Sequence, residues 1–418
     1  MLRTSTLSNG IRVITDSSDT AETVSLGVWV AVGARYETAS DNGISHCLEH
    51  MAFKGTQTRS SFQISKEIED VGGIINAYTG KDRTAYYVRV LKEHQFLGLD
   101  IITDIIQNSV MDSEELDKEK GVIIQEINMQ NDTPDDLIFD YYNEVAYPNQ
   151  PLGRAILGTI ESVSQITSQR LLEYMHTQYT TQRLVVSASG AVDHEIFVAE
   201  CEKRLTKIQS HTMPAAESAY YCGGEKRVVK PHEQVNIVLG FESASYHNPD
   251  RYASSLLSAI LGGGMSSRLF QEIREKRGLV YSIYAYSSPE TDTGTFGIYA
   301  GTGEKEVVEL MPVLCDELLK LSDTLTDEEI SRAKAQKKAA ILMHQENILT
   351  HAESNAISSV IYGKIQSIEE KINLIDSVTK ADLKRVARQI LSGKPTLAAL
   401  GPIKHVMSYN DIVARLKV

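Results

Sequence analysis

The stretch MDSEELDKEKGVIIQEI, residues 111–127, recurs in altered form as LTDEEISRAKAQKKAAI, residues 325–341. Two further pairs of segments keep the same order in both halves of the chain. RTAYYVRV (83–90) resembles GTFGIYAG (294–301), and LVVSASGAV (184–192) resembles TLAALGPI (396–403). Glu115 pairs with Glu329 and Gly190 with Gly401, so the separation is 214 residues in one pair and 211 in another. Three ordered matches at a nearly constant separation predict duplication of a domain of roughly two hundred residues.

The composition is that of a soluble globular protein with more than one domain, because 42% of the 418 residues are hydrophobic and 23% are charged. Alternating apolar residues in GIRVIT, TVSLGVWVAV and RTAYYVRV predict strands, whereas SSFQISKEIEDVG and EHQFLGLDIITDIIQNS have helical spacing. The fold class is therefore α+β. A stretch of small residues, a proline and a Gly-Gly pair at 209–226 is the best candidate linker, and it separates predicted domains at 1–212 and 222–418.

Charge and cysteine content restrict the environment and the partners. A net charge of −13 argues against a nucleic-acid partner. Four widely spaced cysteines without a CxxC pair fit a reducing compartment. The sequence shows no apolar run of membrane-spanning length, and MLRTSTLSNGIRVITD leaves no room for the apolar core of a signal peptide. We therefore expect a protein without a membrane partner, located in a bacterial cytoplasm or, if a presequence has been removed, in the mitochondrial matrix.

The stretch GISHCLEHMAFKGT, residues 43–56, places two histidines and a glutamate in an otherwise apolar run. On an α-helix His46 and His50 lie one turn apart on the same face, so both imidazoles can reach one metal ion, and Glu49 lies beside that face. The spacing HxxEH is the reverse of the zinc-protease pattern HExxH. The alternative is that two core histidines are simply hydrogen-bonded.

A zinc site of the catalytic kind needs a third protein ligand. The histidine-glutamate pattern predicts a carboxylate on another helix, and the acidic stretch at 113–136 is rich enough to supply it. Glu126 is the favoured candidate, because it lies seven residues after Glu119 and the two carboxylates then share a helix face. The alternative interpretation of these acids is a solvated helix face.

Four stretches carry a family resemblance: HCLEHMAFKGT, GGIINAYTGKDRTAYY, EKGVIIQEINM and GGGMSSRLFQEIREKRGLVYS. Together they resemble the pitrilysin and insulinase-type (inverzincin) zinc metallopeptidases, in particular the β subunit of the mitochondrial processing peptidase and its bacterial homologues. The resemblance runs from near residue 8 to the end of the chain. It implies two homologous domains, each a mostly antiparallel sheet covered by helices, with the metal in the first domain and a substrate-contacting second domain without metal.

The resemblance also implies roles for residues of the first domain. His46, His50 and Glu126 would bind one Zn²⁺ per chain, and Glu49 would be the general base toward a zinc-bound water. Glu119 would support the site from behind a ligand histidine.

Substrate contacts are implied for both halves. Asn76 and Ala77 match an edge strand on which the family lays its peptide as an added strand. Phe53 matches an aromatic residue of the pocket beyond the scissile bond, although ordinary helix packing explains it equally well. Asp136 and Asp140 match an acidic pair that receives an arginine just before the cut.

In the second half, the repeat offset places the counterparts of His46 and His50 near ILGGGMSSRLF, which offers no replacement ligand. Arg274 and Tyr281 match a family pair that reaches the substrate backbone and the developing oxyanion. The alternative is an exposed basic helix end at Arg274 and the start of a strand at Tyr281.

The sequence therefore predicts a zinc metalloendopeptidase that hydrolyses peptides or extended, basic, presequence-like segments and works as a homodimer. One alternative is a non-catalytic structural subunit of a larger complex. Another is a peptide-binding partner that lends surface to the zinc site of a different chain.

Overall fold

A computed structural model of the chain describes residues 1–212 and 215–417. Residues 213 and 214 of the predicted linker, and residue 418, lie outside the described residues. The chain forms two compact units, and neither is continuous in sequence. Unit 1 comprises Met1–Asn128, Ala155–Glu217 and Met343–Gln366, and unit 2 comprises Met129–Arg154, Ser218–Leu342 and Ser367–Val418.

Each unit is built on one sheet. The strands of unit 1 are β1 (Leu2–Thr6), β2 (Arg12–Ser17), β3 (Thr23–Val30), β4 (Ile74–Thr79), β5 (Thr84–Leu91) and β6 (Leu184–Gly190). Those of unit 2 are β7 (Gly224–Val229), β8 (Val235–Glu242), β9 (Val280–Pro289), β10 (Gly294–Thr302) and β11 (Thr396–Gly401).

Helices cover both sheets. Those that begin in the first half of the chain are α1 (Ile44–Ala52), α2 (Ser61–Glu69), α3 (Gln95–Asn108), α4 (Ser113–Asn131), α5 (Pro134–Ala146), α6 (Ile160–Gln165), α7 (Ser168–Gln178) and α8 (His194–Arg204). Those of the second half are α9 (Arg251–Gly262), α10 (Val307–Leu321), α11 (Asp327–Gln345), α12 (Ile348–Tyr362), α13 (Ile368–Ser377), α14 (Lys380–Ser392) and α15 (Tyr409–Leu416), with a π-helix at Phe270–Glu275.

The two sheets have the same topology. Their strand orders are β1-β2-β6-β3-β5-β4 and β7-β11-β8-β10-β9, so the second matches the first once β1 is removed. In each sheet the corresponding pair, β2 with β6 and β7 with β11, is parallel, and the other pairs are antiparallel. The predicted α+β class and the predicted duplication are confirmed.

The central strands are buried on both faces, which the alternating pattern alone does not require. In β3, Val24, Leu26 and Val28 belong to the main core of unit 1, whereas Trp29 points to the opposite face and packs in a smaller cluster. A strand buried on both faces needs helices on both sides of its sheet. In the main core, α3 contributes the buried residues Leu99, Ile101, Ile102 and Ile105.

The other face of each sheet is covered by a helix from the opposite half of the chain. Helix α12 belongs to unit 1, where Ala352 and Ala356 pack in the same cluster as Trp29. Helix α5 belongs to unit 2, where Leu137 and Ile138 share a cluster with residues of β8 and β11. The two halves of the sequence thus exchange equivalent helices.

In the described part of the chain, no helix has both the length and the apolar character that crossing a membrane requires.

Candidate metal centre

Helix α1 begins at a fixed backbone geometry. Gly43, which precedes it, has φ of 93°, and a Cβ there would lie 2.7 Å from the carbonyl oxygen of Leu157. The buried carboxylate of Glu37 accepts hydrogen bonds from the backbone N–H groups of Gly43 at 2.8 Å and of Ser45 at 2.9 Å. These bonds satisfy N–H groups that a helix start leaves without intrahelical partners. The backbone is therefore fixed at the N-terminal end of α1, immediately before the first histidine.

The apolar face of α1 sets the direction of the two histidines. Cys47, Leu48 and Met51 are fully buried in the core of unit 1. His46 and His50 lie on the adjoining face with side chains 13% and 17% exposed, and their ring centroids are 4.6 Å apart. The histidines therefore reach the surface of the unit together.

A carboxylate from α4 completes a three-residue cluster. Oε2 of Glu126 lies 3.8 Å from Nε2 of His46 and 3.6 Å from Nε2 of His50. Within residues 1–212 and 215–417, His46, His50 and Glu126 form the sole group of three or more His, Cys, Asp or Glu side chains spaced to hold a metal ion. The predicted third ligand is thus brought to both histidines.

The donor set fits zinc. Two ligand atoms bound tetrahedrally at zinc–nitrogen or zinc–oxygen distances lie about 3.3 Å apart. The separations of 3.6 and 3.8 Å between the histidine nitrogens and the carboxylate oxygen are close to this value and too long for hydrogen bonds. Burial, together with the neighbouring His50, lowers the pKa of His46 to about 4, which keeps its imidazole neutral as a metal ligand must be.

Behind His50, Glu119 joins two partners. Its Oε2 lies 3.0 Å from Nδ1 of His50, and its Oε1 lies 2.5 Å from Nζ of Lys54. Burial raises the pKa of Glu119, but the contacts with Lys54 and His50 lower it further than burial raises it. A carboxylate at Nδ1 leaves Nε2 of His50 free to face Glu126, which is the arrangement expected of a metal-bound histidine.

Glu49 lies beside the cluster and is held from the neighbouring sheet. Thr79, the last residue of β4, donates a hydrogen bond of 2.5 Å from its hydroxyl to Oε2 of Glu49. Burial raises the pKa of Glu49, and the nearby charge of Glu126 acts in the same direction, while Thr79 and His50 oppose them. A carboxylate with a raised pKa is suited to accept and return a proton near neutral pH.

The other predicted site residues of unit 1 lie on the same elements. Asn76 and Ala77 are in β4, which is an edge strand and pairs with β5 alone among the described strands. Phe53 follows α1 and packs against the core, with its ring centroid 6.3 Å from that of Tyr86. Ordinary packing thus accounts for Phe53, and its role in a substrate pocket stays a prediction.

Four predicted residues belong to unit 2. Asp136 and Asp140 lie in α5, and Asp140 accepts a hydrogen bond of 2.9 Å from Nε2 of Gln130. Arg274 lies in the last turn of the π-helix, with its guanidinium 5.9 Å from the ring centroid of Tyr281, which is 76% exposed. Their assignment to the catalytic centre in unit 1 stays a prediction.

Three residues around the centre were not predicted from the sequence: Glu37, Lys54 and Thr79. Lys54 and Thr79 stand inside the quoted stretches HMAFKGT and NAYTG, but nothing in their spacing reveals a partner 65 residues away in one case and 30 in the other. Lys54 contacts Glu119, and Thr79 contacts Glu49, because the fold brings together residues that are far apart in the sequence.

The chain is similar to known proteins over both halves of its sequence. Residues 12–160 match the insulinase domain of peptidase family M16, and residues 165–337 match a domain described as the peptidase M16 inactive domain. A Rickettsia felis protein described as an uncharacterized zinc protease is 40% identical over 399 residues, which cover 95% of this chain and 97% of that protein. A probable mitochondrial-processing peptidase subunit beta of Arabidopsis thaliana is 34% identical over 429 residues, covering 99% of this chain and 81% of that protein.

Two solved structures share the fold. A protease from Helicobacter pylori superposes with a TM-score of 0.89 at 21% identity, covering 96% of this chain and 99% of that one. A chain of complex III from Candida albicans, with Inz-5 bound, superposes with a TM-score of 0.88 at 22% identity and covers all of both chains. At these identities the likeness shows the fold alone.

The fold and the donor set define a class: a duplicated α+β protein with a candidate zinc centre in its first unit. The sequence matches are more specific, and the chain belongs to the insulinase family of peptidases, peptidase family M16.

Proposed function

We propose that this protein is a zinc-dependent endopeptidase that hydrolyses peptides or extended, basic segments. The observation that carries the proposal is the convergence of His46, His50 and Glu126 within one unit, with the carboxylate of Glu49 beside them. Relatives named zinc proteases, and the membership in family M16, support the same activity. The bacterial relatives also support a location in a bacterial cytoplasm.

Zinc held by His46, His50 and Glu126 would supply Lewis acidity, which lowers the pKa of water and polarises a peptide carbonyl. Glu49 then accepts the proton of the attacking water and returns it to the leaving amine. The Thr79 hydrogen bond holds the Glu49 carboxylate in place for both transfers. Glu119 keeps the His50 ring in orientation through Nδ1.

The substrate would lie along β4. This strand ends the sheet of unit 1, where an added strand can pair with its outer backbone groups. The N–H of Ala77 donates a hydrogen bond of 2.8 Å to Oδ1 of Asn76, which a bound peptide would replace. Thr79 lies on the same strand and contacts Glu49. A peptide paired with β4 would therefore run toward the proposed base.

Unit 2 would contribute recognition. Asp136 and Asp140 are proposed to receive an arginine upstream of the cut, and Arg274 and Tyr281 to contact the substrate backbone and the oxyanion. We also propose a homodimer as the working form. Light scattering combined with activity across protein dilution tests it, and a fully active monomer would exclude the dimer.

The roles of base and ligand are separated by two conservative substitutions. Glu49→Gln should retain zinc and lose at least about a hundredfold in kcat, because the amide cannot accept the proton. Glu126→Gln should lose zinc, because a neutral amide is a poor replacement for a carboxylate ligand. Zinc content by elemental analysis and cleavage of a basic peptide measure both effects.

Glu115→Gln is the matched control on α4, where the half-buried carboxylate pairs with Lys118 away from the metal ligands, and it should leave zinc content and cleavage unchanged. If Glu49→Gln cleaves at the parental rate, the mechanism is wrong. A parent that binds zinc but cleaves no peptide would instead favour the structural or peptide-binding alternatives.

Substrate charge tests the acidic pair. Asp136→Asn with Asp140→Asn should reduce the preference for arginine just before the cut, and cleavage by the parent should weaken as salt rises. Glu144→Gln, on the same helix and largely exposed, is the control. Unchanged arginine selectivity in the double variant would leave both aspartates as a solvated helix face.

A further inference from the structure

The carboxylate behind His50 is itself held by a second residue. Oε1 of Glu119 contacts Nζ of Lys54 at 2.5 Å, while Oε2 of the same carboxylate contacts Nδ1 of His50 at 3.0 Å. One oxygen is thus occupied by the ammonium group and the other by the imidazole. The two contacts together fix the rotation of the carboxylate about its last bond.

Lys54 is well placed for this contact. It stands two residues after the end of α1, and its backbone N–H donates a bond of 3.1 Å to the carbonyl of Met51. Its side chain is 27% exposed, and that of Glu119 is 7% exposed. The ion pair therefore lies at the margin of the core, where Coulomb attraction is screened less than at an open surface.

Among the described residues, no other lysine or arginine competes with Lys54 for Glu119. Around the centre stand three carboxylates, Glu49, Glu119 and Glu126. Among the residues that the structure describes, Lys54 provides the one lysine or arginine nitrogen within 4.0 Å of any of them. His50 on α1 and Lys54 just beyond its end are thereby both joined to Glu119 on α4, on the side of His50 away from Glu126.

We propose that Lys54 is a positioning residue of the metal centre, which holds Glu119 in the orientation that directs Nε2 of His50 toward the metal. This inference rests on the proposed function, since it assumes that His50 is a ligand. A simpler interpretation is that Lys54 only stabilises the C-terminal end of α1 through the helix dipole. Under that interpretation, the effect of replacing Lys54 on zinc affinity does not depend on Glu119. Under ours, the effect disappears when Glu119 is replaced.

Three substitutions separate the two interpretations. Lys54→Met removes the ammonium group and keeps an unbranched apolar side chain, and it should weaken zinc affinity about tenfold, the lower end of the effect of outer ligand partners. Lys54→Arg keeps the cation and should restore most of the affinity. Lys118→Met removes an exposed lysine that pairs with Glu115 on α4, and it should change nothing.

A double-variant cycle supplies the decisive measurement. Glu119→Gln should also weaken zinc affinity, and adding Lys54→Met to it should cause no further loss, because Lys54 acts through that carboxylate. Zinc affinity is measured by competition with a chromophoric chelator, and the absorption spectrum of the cobalt-substituted protein reports the ligand geometry. Thermal unfolding of the metal-free proteins identifies any variant that is merely unfolded.

The inference is overturned if Lys54→Met binds zinc as tightly as the parent, if Lys54→Arg fails to rescue it, or if the losses in the double variant add. A parent that binds no zinc overturns the proposed function as well. A parent that binds zinc with an unaffected Lys54→Met variant overturns this inference alone.

Discussion

His46 and His50 have the same side chain one helical turn apart, yet their surroundings differ. Nδ1 of His50 contacts Glu119, whereas Nδ1 of His46 is buried and has no hydrogen-bond partner among the described residues. The orientation of His50 is therefore set by a polar contact, and that of His46 by packing. Burial disfavours the charged imidazolium and lowers the pKa of His46 to about 4. The carboxylate of Glu126, 3.8 Å away, would favour the charged form, but burial has the larger effect.

This pKa predicts how the metal-free protein responds to acid. The pKa of His46 is lower in the folded protein than the ordinary 6.5, so the folded state binds fewer protons than the unfolded state between these values. Its contribution to stability is present above pH 6.5 and is lost as pH falls toward about 4, amounting to about 3 kcal/mol at most. In urea unfolding without metal, His46→Gln should lose less stability than the parent between pH 7 and pH 4.5. Equal losses in the two proteins would contradict the prediction.

Among the elements, α12 is decisive for unit 1. Its buried alanines Ala352 and Ala356 lie in the same cluster as Trp29, and the hydroxyl of Ser187 in β6 donates a bond of 2.8 Å to the carbonyl of Ala352. Glu353 accepts a hydrogen bond of 2.6 Å from the hydroxyl of Tyr78 in β4. Small residues let this helix approach the sheet closely, and one polar contact joins it to the proposed substrate strand.

A larger side chain at Ala352 should therefore overpack the face. Ala352→Leu should destabilise the protein by about 1–3 kcal/mol, because the fully buried site has no room for the added atoms. Trp29 is the single tryptophan of the chain and lies in the affected cluster, so its fluorescence during urea unfolding reports the change. Ala335→Leu, at an exposed position of α11, is the control and should have little effect. A stability equal to that of the parent would show that α12 packs loosely.

The molecule contains two equivalent sheets, and one face of each is covered by a helix from the opposite half of the chain. Unit 1 needs α12 from the second half to cover Trp29, and unit 2 needs α5 from the first half to cover β8 and β11. Neither half of the sequence is therefore a complete folding unit, although each contains a complete sheet.

Fragments test this exchange. Residues 1–217 alone and residues 218–418 alone should each be poorly folded, because each exposes an apolar sheet face that a helix of the other fragment normally buries. Produced together, they should form a folded complex. Size-exclusion chromatography and near-ultraviolet circular dichroism distinguish the states. A single fragment with parental resistance to urea would contradict the exchange.

Local patterns in the sequence predicted individual strands and helices and the repeat. Alternation predicted β2, β3 and β5, helical spacing predicted α2 and α3, and all five are present. It also predicted that His46 and His50 share one helix face, and that Glu126 and Glu119 lie on one helix face. Each of these is a relation between neighbours on a single element, which local periodicity encodes directly.

Which elements contact one another is visible in the folded chain alone. In the folded chain, Thr79 contacts Glu49 and Lys54 contacts Glu119. Helices α5 and α12 each pack on the sheet formed by the opposite half of the sequence. The spacing of Ala352 and Ala356 marks a helix face, but the two sheets are so alike in strand order that no local pattern states which of them this face will cover. Which sheet a helix covers depends on the packing of residues far apart in the chain. The free energy that favours one sheet over the other comes from these long-range contacts, so no single segment predicts it.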